Sequence, residues 1–207
     1  MDKRKYRRLD TDFLVRIRHI SADEKAEAAA ISRIENLSLG GVFIATATPL
    51  LLNRIVELEF QVPGYSDIVR AKGIVRWSKS TGDKQGMGIE FLEVSIPSKV
   101  ALNGYVVSEA TGELARDLTR TDAHRALLKV TVAHWGDRMS RDAVVALVNQ
   151  PLDDFNACLE DFAKHGVVSI RQGAIEFVAP IEEGVVKALE EFVKSGFSNL
   201  PGGQAGS

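Results

Sequence analysis

The stretch VELEFQVPGYSDIVRAKGIVRW, residues 56–77, contains two alternating patterns separated by a turn. Apolar residues alternate with polar ones at its start, at Val56, Leu58, Phe60 and Val62. They alternate again near its end, where one side carries Ala71, Gly73, Val75 and Trp77. Between them, VPGYSD is rich in turn formers. A period of two is that of a strand with one buried face, so the stretch predicts two half-buried strands.

The same alternation extends in both directions. It occurs in FLVRIRH (13–19) and GMGIEF (86–91), and AAAISRIEN (28–36) and GVFIATA (41–47) add two further strands. KSTGDKQG (79–86) is another polar turn. About six short antiparallel strands joined by polar turns predict a small barrel or a closed sandwich. We expect a short helix near Ser98–Val107 to cover one end.

The second half has a helical period. We interpret the polar stretch 108–120 as a linker and 197–207 as a flexible tail. Three helices are predicted to begin at Thr121, Ser140 and Pro151, which suit an N-cap or a first turn. Gly166 then ends the third helix, a hairpin turns at Gly173, and a fourth helix starts near Pro180. This order predicts a mainly α, winged-helix-like domain over residues 121–196, with the hairpin as the wing.

Composition and charge are those of an ordinary soluble globular protein. The chain has 207 residues, is 45% hydrophobic and has a formal net charge of −2. No apolar run is long enough to span a bilayer or to act as a secretory signal, so we expect a cytoplasmic protein without membrane insertion. The single cysteine, Cys158, excludes an internal disulfide. Residues 1–112 carry a net charge of +2 and residues 113–207 a net charge of −4.

No set of residues predicts catalysis. The four histidines, at positions 19, 124, 134 and 165, lack metal-ligand spacing, and the chain has no phosphate-binding glycine loop. Glu57 and Glu59 alternate on a strand and fit a solvated face better than an acid/base pair. We therefore expect no enzyme, no metal site and no cofactor.

Two short motifs stand out against this background. The basic run KRKYRR (3–8) contains R-x-x-x-R at Arg4 and Arg8, and NLSLGG (36–41) contains N-x-S-x-x-G between two strands. Taken separately, a solvated basic tail accounts for the first motif and a plain turn for the second. The two motifs lie about thirty residues apart, the first before one predicted strand and the second between two others.

With these two motifs, residues 3–107 resemble a PilZ domain, the bacterial cyclic di-GMP receptor module. The stretches IVRW and GMGIEF are also similar to the fifth and sixth strands of that family. The resemblance implies an all-β, six-stranded antiparallel barrel with an N-terminal basic arm over residues 1–107. It implies a cyclic di-GMP receptor whose ligand is contacted by Arg4, Arg8, Asn36, Ser38 and Gly41. Secondary contacts would come from Lys5, Arg7, Gly40 and Trp77.

The chemistry of the ligand fits these residue types. Guanidinium groups bind phosphate bidentately and also match the O6/N7 edge of guanine. Glycine allows the close approach of a backbone where a Cβ would intrude. Trp77 has two interpretations, an aromatic platform for guanine or an ordinary core tryptophan.

For the second half we expect a protein-interaction or dimerisation module that receives the signal from the barrel. The alternative is a cyclic di-GMP-responsive transcription factor that binds DNA through the winged helix. Charge disfavours the alternative: the third helix carries four acidic residues against one basic residue, at Asp153, Asp154, Glu160, Asp161 and Lys164. DNA affinity depends on cations that neutralise phosphates.

Overall fold

A computed structural model describes residues 7–20, 29–82, 84–180 and 182–198. The chain divides into two compact units, Met1–Val106 and Val107–Ser207. Arg4 and Lys5 of the predicted basic arm lie outside the described residues.

The first unit is a closed barrel, as predicted. In its described part the barrel has six strands in the order β1-β2-β3-β6-β5-β4, with every neighbouring pair antiparallel and β1 also paired to β4. The strands are β1 (Leu9–His19), β2 (Ala30–Ser38), β3 (Gly41–Ala45), β4 (Ile55–Gln61), β5 (Ile68–Lys79) and β6 (Gly86–Val94). Strand β1 begins at Leu9, four residues before the predicted Phe13.

Alternation along each strand builds the barrel core. In β4, Val56, Leu58 and Phe60 are buried, whereas Glu57 is exposed. This pattern places alternate side chains inside the barrel and the charged ones outside, as a period of two requires.

Trp77 departs from the predicted alternation. Strand β5 has an irregularity between Val75 and Trp77, so that Val75 pairs with Ile89 and Trp77 with Gly88. An extra residue in a strand shifts the following side chains to the other face. Trp77 therefore does not share the buried side with Val75: it is 39% exposed on the outer face, and the interpretation as a core tryptophan is wrong.

The polar stretch predicted as a linker is largely helical. Helix α1 runs over Ile96–Asp117, so residues 108–117 continue the helix that was expected near Ser98–Val107. Its buried residues recur at helical spacing, at Leu102, Val106, Ala110 and Leu114, and Leu118 continues the row just after the helix ends. Several buried positions on this stripe are alanine or threonine, so its hydrophobic pattern is weak in the sequence.

Thr111 shows how this stripe buries a polar group. Its hydroxyl donates to the carbonyl oxygen of Val107 at 2.7 Å, which satisfies it inside the helix.

The second unit contains four further helices and a small sheet in its described part. The helices are α2 (Asp122–Ala133), α3 (Arg141–Val148), α4 (Leu152–Lys164) and α5 (Glu183–Lys194). The sheet has the order β7-β9-β8, all antiparallel, with β7 (Arg138–Ser140), β8 (Val168–Arg171) and β9 (Ala174–Phe177). The helix and hairpin order agrees with the prediction, and β7 was missed because three residues show no period. The winged-helix assignment stays a prediction.

The predicted helix ends of this unit are confirmed by their capping bonds. The side chains of Thr121 and Ser140 accept hydrogen bonds from the backbone NH groups of His124 and Ala143. Gly166 follows α4 with a φ of 71°, the left-handed conformation that glycine tolerates best after a helix.

Two predictions for the second unit need correction. Helix α5 begins at Glu183 rather than near Pro180. The flexible tail was predicted to begin at residue 197. Phe197 instead packs edge-on against Phe192 of α5, with ring centroids 5.4 Å apart. Residues 199–207 lie outside the described part.

Candidate functional site

The N-x-S-x-x-G motif forms the tight turn between β2 and β3. Ser38 pairs with Gly41 across this turn, and its hydroxyl donates to the Gly41 carbonyl oxygen at 3.2 Å. The carbonyl oxygen of Gly40 accepts a hydrogen bond from the backbone NH of Phe91 at 2.9 Å. These bonds fix the turn in place. Asn36 and Ser38 lie at the end of β2, shortly before the two glycines.

Gly41 is required by the barrel itself. A Cβ at this position would overlap the carbonyl oxygen of Ile89, because β3 and β6 approach closely there. From the sequence, the absence of a Cβ at Gly41 was expected to allow the close approach of a ligand. The structure adds a cause within the protein, since the neighbouring backbone already occupies that space.

Asn36 is oriented by two hydrogen bonds. Its amide nitrogen donates to the Asp10 carboxylate at 2.7 Å and to the Glu35 carbonyl oxygen at 2.6 Å. The side chain is therefore fixed next to the first residues of β1, and β1 follows directly after Arg8.

A row of paired residues connects the motif to the aromatic side chains on the outer face. Asp10 pairs with Asn36, Asn36 with Phe43, Phe43 with Gly88, and Gly88 with Trp77. Paired residues in a sheet lie side by side on one face. The row thus brings together five strands that are far apart in the sequence.

An aromatic stack forms the end of this row. The rings of Phe43 and Trp77 are stacked with centroids 5.1 Å apart and an interplanar angle of 11°. Gly88 lies between them in the register, and a Cβ there would overlap the Trp77 indole nitrogen. Gly88 therefore lets the indole lie flat across β6, with part of its surface open to solvent.

Arg8 brings positive charge to the same place. Its side chain is exposed, and the next residue, Leu9, is buried and pairs with Leu37. Among the described residues Arg8 makes no ion pair. An unpaired guanidinium next to a polar turn can bind a phosphate or the edge of a guanine.

These residues line one depression of about 260 Å³ on the outer face of the barrel. Of the predicted site, the lining contains Arg8, Asn36, Ser38, Gly40, Gly41 and Trp77. Arg7 is half-buried and is not part of the lining. The ligand contacts themselves stay predictions.

Seven residues of the lining were not predicted from the sequence, and they include Phe43, Arg76, Gly88 and Glu90. Arg76 donates from its Nε to the Glu90 carboxylate across β5 and β6. No motif signals these residues, because only the pairing of β3, β5 and β6 brings them to the turn.

The second unit contains a polar chain of three side chains, in which Cys158 and His124 are buried and Asp161 is partly exposed. Cys158 Sγ lies 3.1 Å from His124 Nδ1, and His124 Nε2 lies 3.1 Å from an Asp161 carboxylate oxygen. Burial raises the pKa of the Cys158 thiol, and the hydrogen bond from His124 lowers the pKa of the Asp161 carboxyl. A buried, protonated thiol is a poor nucleophile, so this chain fits a structural network better than a catalytic one.

A second polar cluster of this unit has the spacing of metal ligands. One potential ligand atom from each of Glu113, Asp117 and His165 lies within 4.8 Å of the others. His165 Nε2 is 3.0 Å from Asp117 Oδ2, a contact that a hydrogen bond explains without a metal.

Within the described residues, no helix is both long enough and apolar enough to cross a membrane.

Comparison with known proteins gives one family match. The model of the PilZ domain matches residues 2–108, which are 107 of the 207 residues of the chain. No curated protein matches the chain.

Three solved structures are similar to part of the chain. The inhibitor of motility MotI/DgrA of Bacillus subtilis is 19% identical, with a TM-score of 0.42 over 52% of this chain and 50% of that protein. The PilZ domain of YcgR from Escherichia coli, solved with c-di-GMP, is 18% identical, with a TM-score of 0.38 over 56% of this chain and 97% of that domain.

The third is the PilZ domain of CeSA from a cellulose-synthesizing bacterium. It is 19% identical, with a TM-score of 0.33 over 48% of this chain and 94% of that domain. The chain thus matches only about half of the length of MotI/DgrA, and the family assignment rests on the family model.

Proposed function

The chain belongs to the PilZ domain family, and from this premise we propose that it is a cyclic di-GMP receptor whose ligand binds at the depression beside the β2–β3 turn. One observation supports the proposal most directly. Arg8, Asn36, Ser38 and Gly41, predicted from two separate motifs, line the same depression together with the exposed indole of Trp77.

Each part of this depression offers chemistry that the ligand needs. The ligand has two phosphates and two guanines. Arg8 offers a guanidinium for a phosphate or for the O6/N7 edge of guanine. Asn36 offers its amide oxygen as an acceptor, because its amide nitrogen already donates to Asp10 and Glu35, and Ser38 offers a hydroxyl oxygen. The exposed indole of Trp77 offers a flat surface on which a base can stack. Arg4 extends this set through the basic arm, with Lys5 and Arg7 as further cations.

Titration calorimetry of the wild-type protein with cyclic di-GMP tests the proposal. Arg8→Ala should weaken binding by about 1.5–3 kcal/mol, the usual value of a hydrogen bond to a charged group. Arg16→Ala is the matched control, because Arg16 is an exposed arginine of the same barrel that lies outside this depression. It should bind as the wild type does.

Two outcomes contradict the proposal. One is the absence of any binding heat for the wild type at tens of micromolar protein. The other is an equal loss of affinity in Arg8→Ala and Arg16→Ala, which would indicate general attraction of an anion. Cyclic di-AMP, which has the same two phosphates but no guanine, separates base recognition from phosphate attraction.

For the second unit we propose a protein-interaction or dimerisation module of winged-helix-like form that receives the signal of the bound ligand. The outward side of α4 supports this choice over DNA binding. Asp153, Asp154 and Glu160 are exposed there, and Lys164 is the single basic residue of that helix. An acidic helix repels the phosphates of a duplex and suits a basic protein surface.

A gel-shift assay with random duplex at low salt, with and without cyclic di-GMP, separates the two functions. We expect no shift. A clear shift that weakens with salt would favour a ligand-responsive transcription factor. Light scattering under the same conditions measures whether the chain associates with itself.

A further inference from the structure

The ion pair between Arg76 and Glu90 lies within the lining of the proposed ligand site. Arg76 on β5 donates to the Glu90 carboxylate on β6, and the two side chains are 52% and 50% exposed. Both residues line the depression that also contains Arg8. Arg76 lies in the stretch IVRW and Glu90 in GMGIEF, but neither belongs to the two ligand motifs, and the resemblance assigned no role to either.

Register places Glu90 directly beside the turn of the site. It pairs with Gly41 on β3 and with Ile74 on β5. The charged side chains of the lining are thus Arg8, Arg76 and Glu90, two cations and one anion. Glu90 neutralises one of the two cations that could attract a phosphate, so its charge opposes the binding of an anion.

We propose that Glu90 is an internal competitor for Arg76, and that a phosphate of the ligand replaces its carboxylate on that guanidinium. The inference rests on the proposed function. Carboxylate and phosphate groups can both accept a bidentate pair of hydrogen bonds from an arginine guanidinium. A phosphate can therefore take the place of a carboxylate. Since both side chains are half-exposed, the pair contributes little stability and can be exchanged at low cost.

This arrangement gives Arg76 and Glu90 opposite effects on affinity. Arg76 favours binding as a contact of the ligand, whereas Glu90 lowers affinity by holding Arg76. Removal of a carboxylate that merely supported the fold would weaken binding or leave it unchanged. A gain of affinity is therefore the signature of a competitor.

The barrel offers a matched control pair. Arg70 on β5 and Glu59 on β4 form the same cross-strand contact, with the Arg70 Nε 3.2 Å from the carboxylate oxygen. Both are at least one-third exposed and lie outside the lining of the proposed site. Substitutions there reproduce the loss of an exposed ion pair without touching the site.

The experiment measures the Kd of cyclic di-GMP for the full chain by calorimetry. We expect Glu90→Gln to bind about two- to fivefold more tightly, the range that an exposed ion pair supplies. Arg76→Gln should bind about tenfold more weakly or worse, as expected for a lost charged hydrogen bond. Arg76→Lys should recover part of the loss, and Glu59→Gln and Arg70→Gln should match the wild type.

A double variant tests the coupling. If Glu90 acts through Arg76, Glu90→Gln should add little or no affinity in an Arg76→Gln background. Thermal unfolding of every variant checks the fold. Glu90→Thr, a residue suited to a strand, takes the place of Glu90→Gln if that variant does not fold.

The outcomes distinguish this inference from the proposed function. A wild type that does not bind overturns the proposed function. A wild type that binds and depends on Arg8, together with a Glu90→Gln variant that binds equally or more weakly, overturns the competitor alone. A gain of affinity from Glu90→Gln that is equally large in the Arg76→Gln background also overturns the competitor alone.

Discussion

Two depressions on the outer face of the described part of the barrel differ in size, and the larger one is not the proposed site. The depression beside the β2–β3 turn has a volume of about 260 Å³, whereas one over β1, β4, β5 and β6 has about 580 Å³. The larger depression also contains more positive residues, Arg16, Arg18, Arg70 and Lys72. Size and number of cations therefore favour the face that carries neither motif.

Pairing explains the difference between the two faces. Across the larger depression, opposite charges face each other in register: Arg18 pairs with Glu57, Glu57 with Lys72, and Lys72 with Glu93. A second row continues the pattern from Arg16 to Glu59 and from Glu59 to Arg70. Cations with a carboxylate beside them on the neighbouring strand attract an anion weakly.

The smaller depression has different chemistry. It combines Arg8, which makes no ion pair within the described residues, with a stacked aromatic pair and a turn of polar and glycine residues. The amount of charge alone therefore does not identify a binding face, and the groups that lie beside the cations matter more.

The largest effect on stability should come from a substitution at the close contact of β3 and β6 beside the smaller depression. In Gly41→Ala the new Cβ overlaps the Ile89 carbonyl oxygen, and this backbone cannot move without disturbing the pairing of β3 and β6. We expect a loss of about 3 kcal/mol in the free energy of unfolding, measured by urea denaturation. A loss below 1 kcal/mol would contradict the rigid contact that we describe.

A smaller effect should follow from displacing the aromatic stack. In Gly88→Ala the new Cβ overlaps the Trp77 ring, which can swing outward because it is partly exposed. The expected loss is about 1 kcal/mol, the value of an aromatic pair. Tryptophan fluorescence should shift to longer wavelength, measured in a Trp135→Phe background.

The double variant Gly88→Ala/Trp77→Phe is the control for this effect, and it should be less destabilised than the sum of the two single variants. A fluorescence spectrum that does not change in Gly88→Ala would contradict the proposed contact.

The smallest effect should come from the face with paired charges. Arg18→Gln removes a 3.3 Å ion pair with Glu57 in which both side chains are more than one-third exposed. We expect a loss of less than about 0.5 kcal/mol, reduced further by added salt, since exposed pairs are weak and screened. A loss above 1 kcal/mol would mean that the charge rows support the barrel.

Much of the fold could be predicted because it depends on local patterns. The alternation in β4 and the caps at Thr121 and Ser140 follow from residues close together in the chain. The prediction failed where the pattern was weak. The stripe of α1 beyond Val107 is carried partly by alanine and threonine, and β7 is only three residues long.

The candidate site could be predicted only in part, for a related reason. Arg8, Asn36, Ser38 and Gly41 belong to motifs, and a motif is visible in one stretch of sequence. Phe43, Arg76, Gly88 and Glu90 line the same depression without any such signal. They lie close together because β3, β5 and β6 pair in the barrel, although up to about forty residues separate these strands in the sequence.

By itself, the sequence determined the strand periods, the helix caps, the two motifs and the acidic character of the second half. These features depend only on the order of residues along the chain. The period of a strand or a helix then fixes which side chains share one face. Only the tertiary structure decided which outer face carries the candidate site, where Trp77 points and that Arg8 has no ion-pair partner among the described residues. A single irregularity in β5 turns Trp77 outward, and strand register decides whether an arginine meets a glutamate or an open surface.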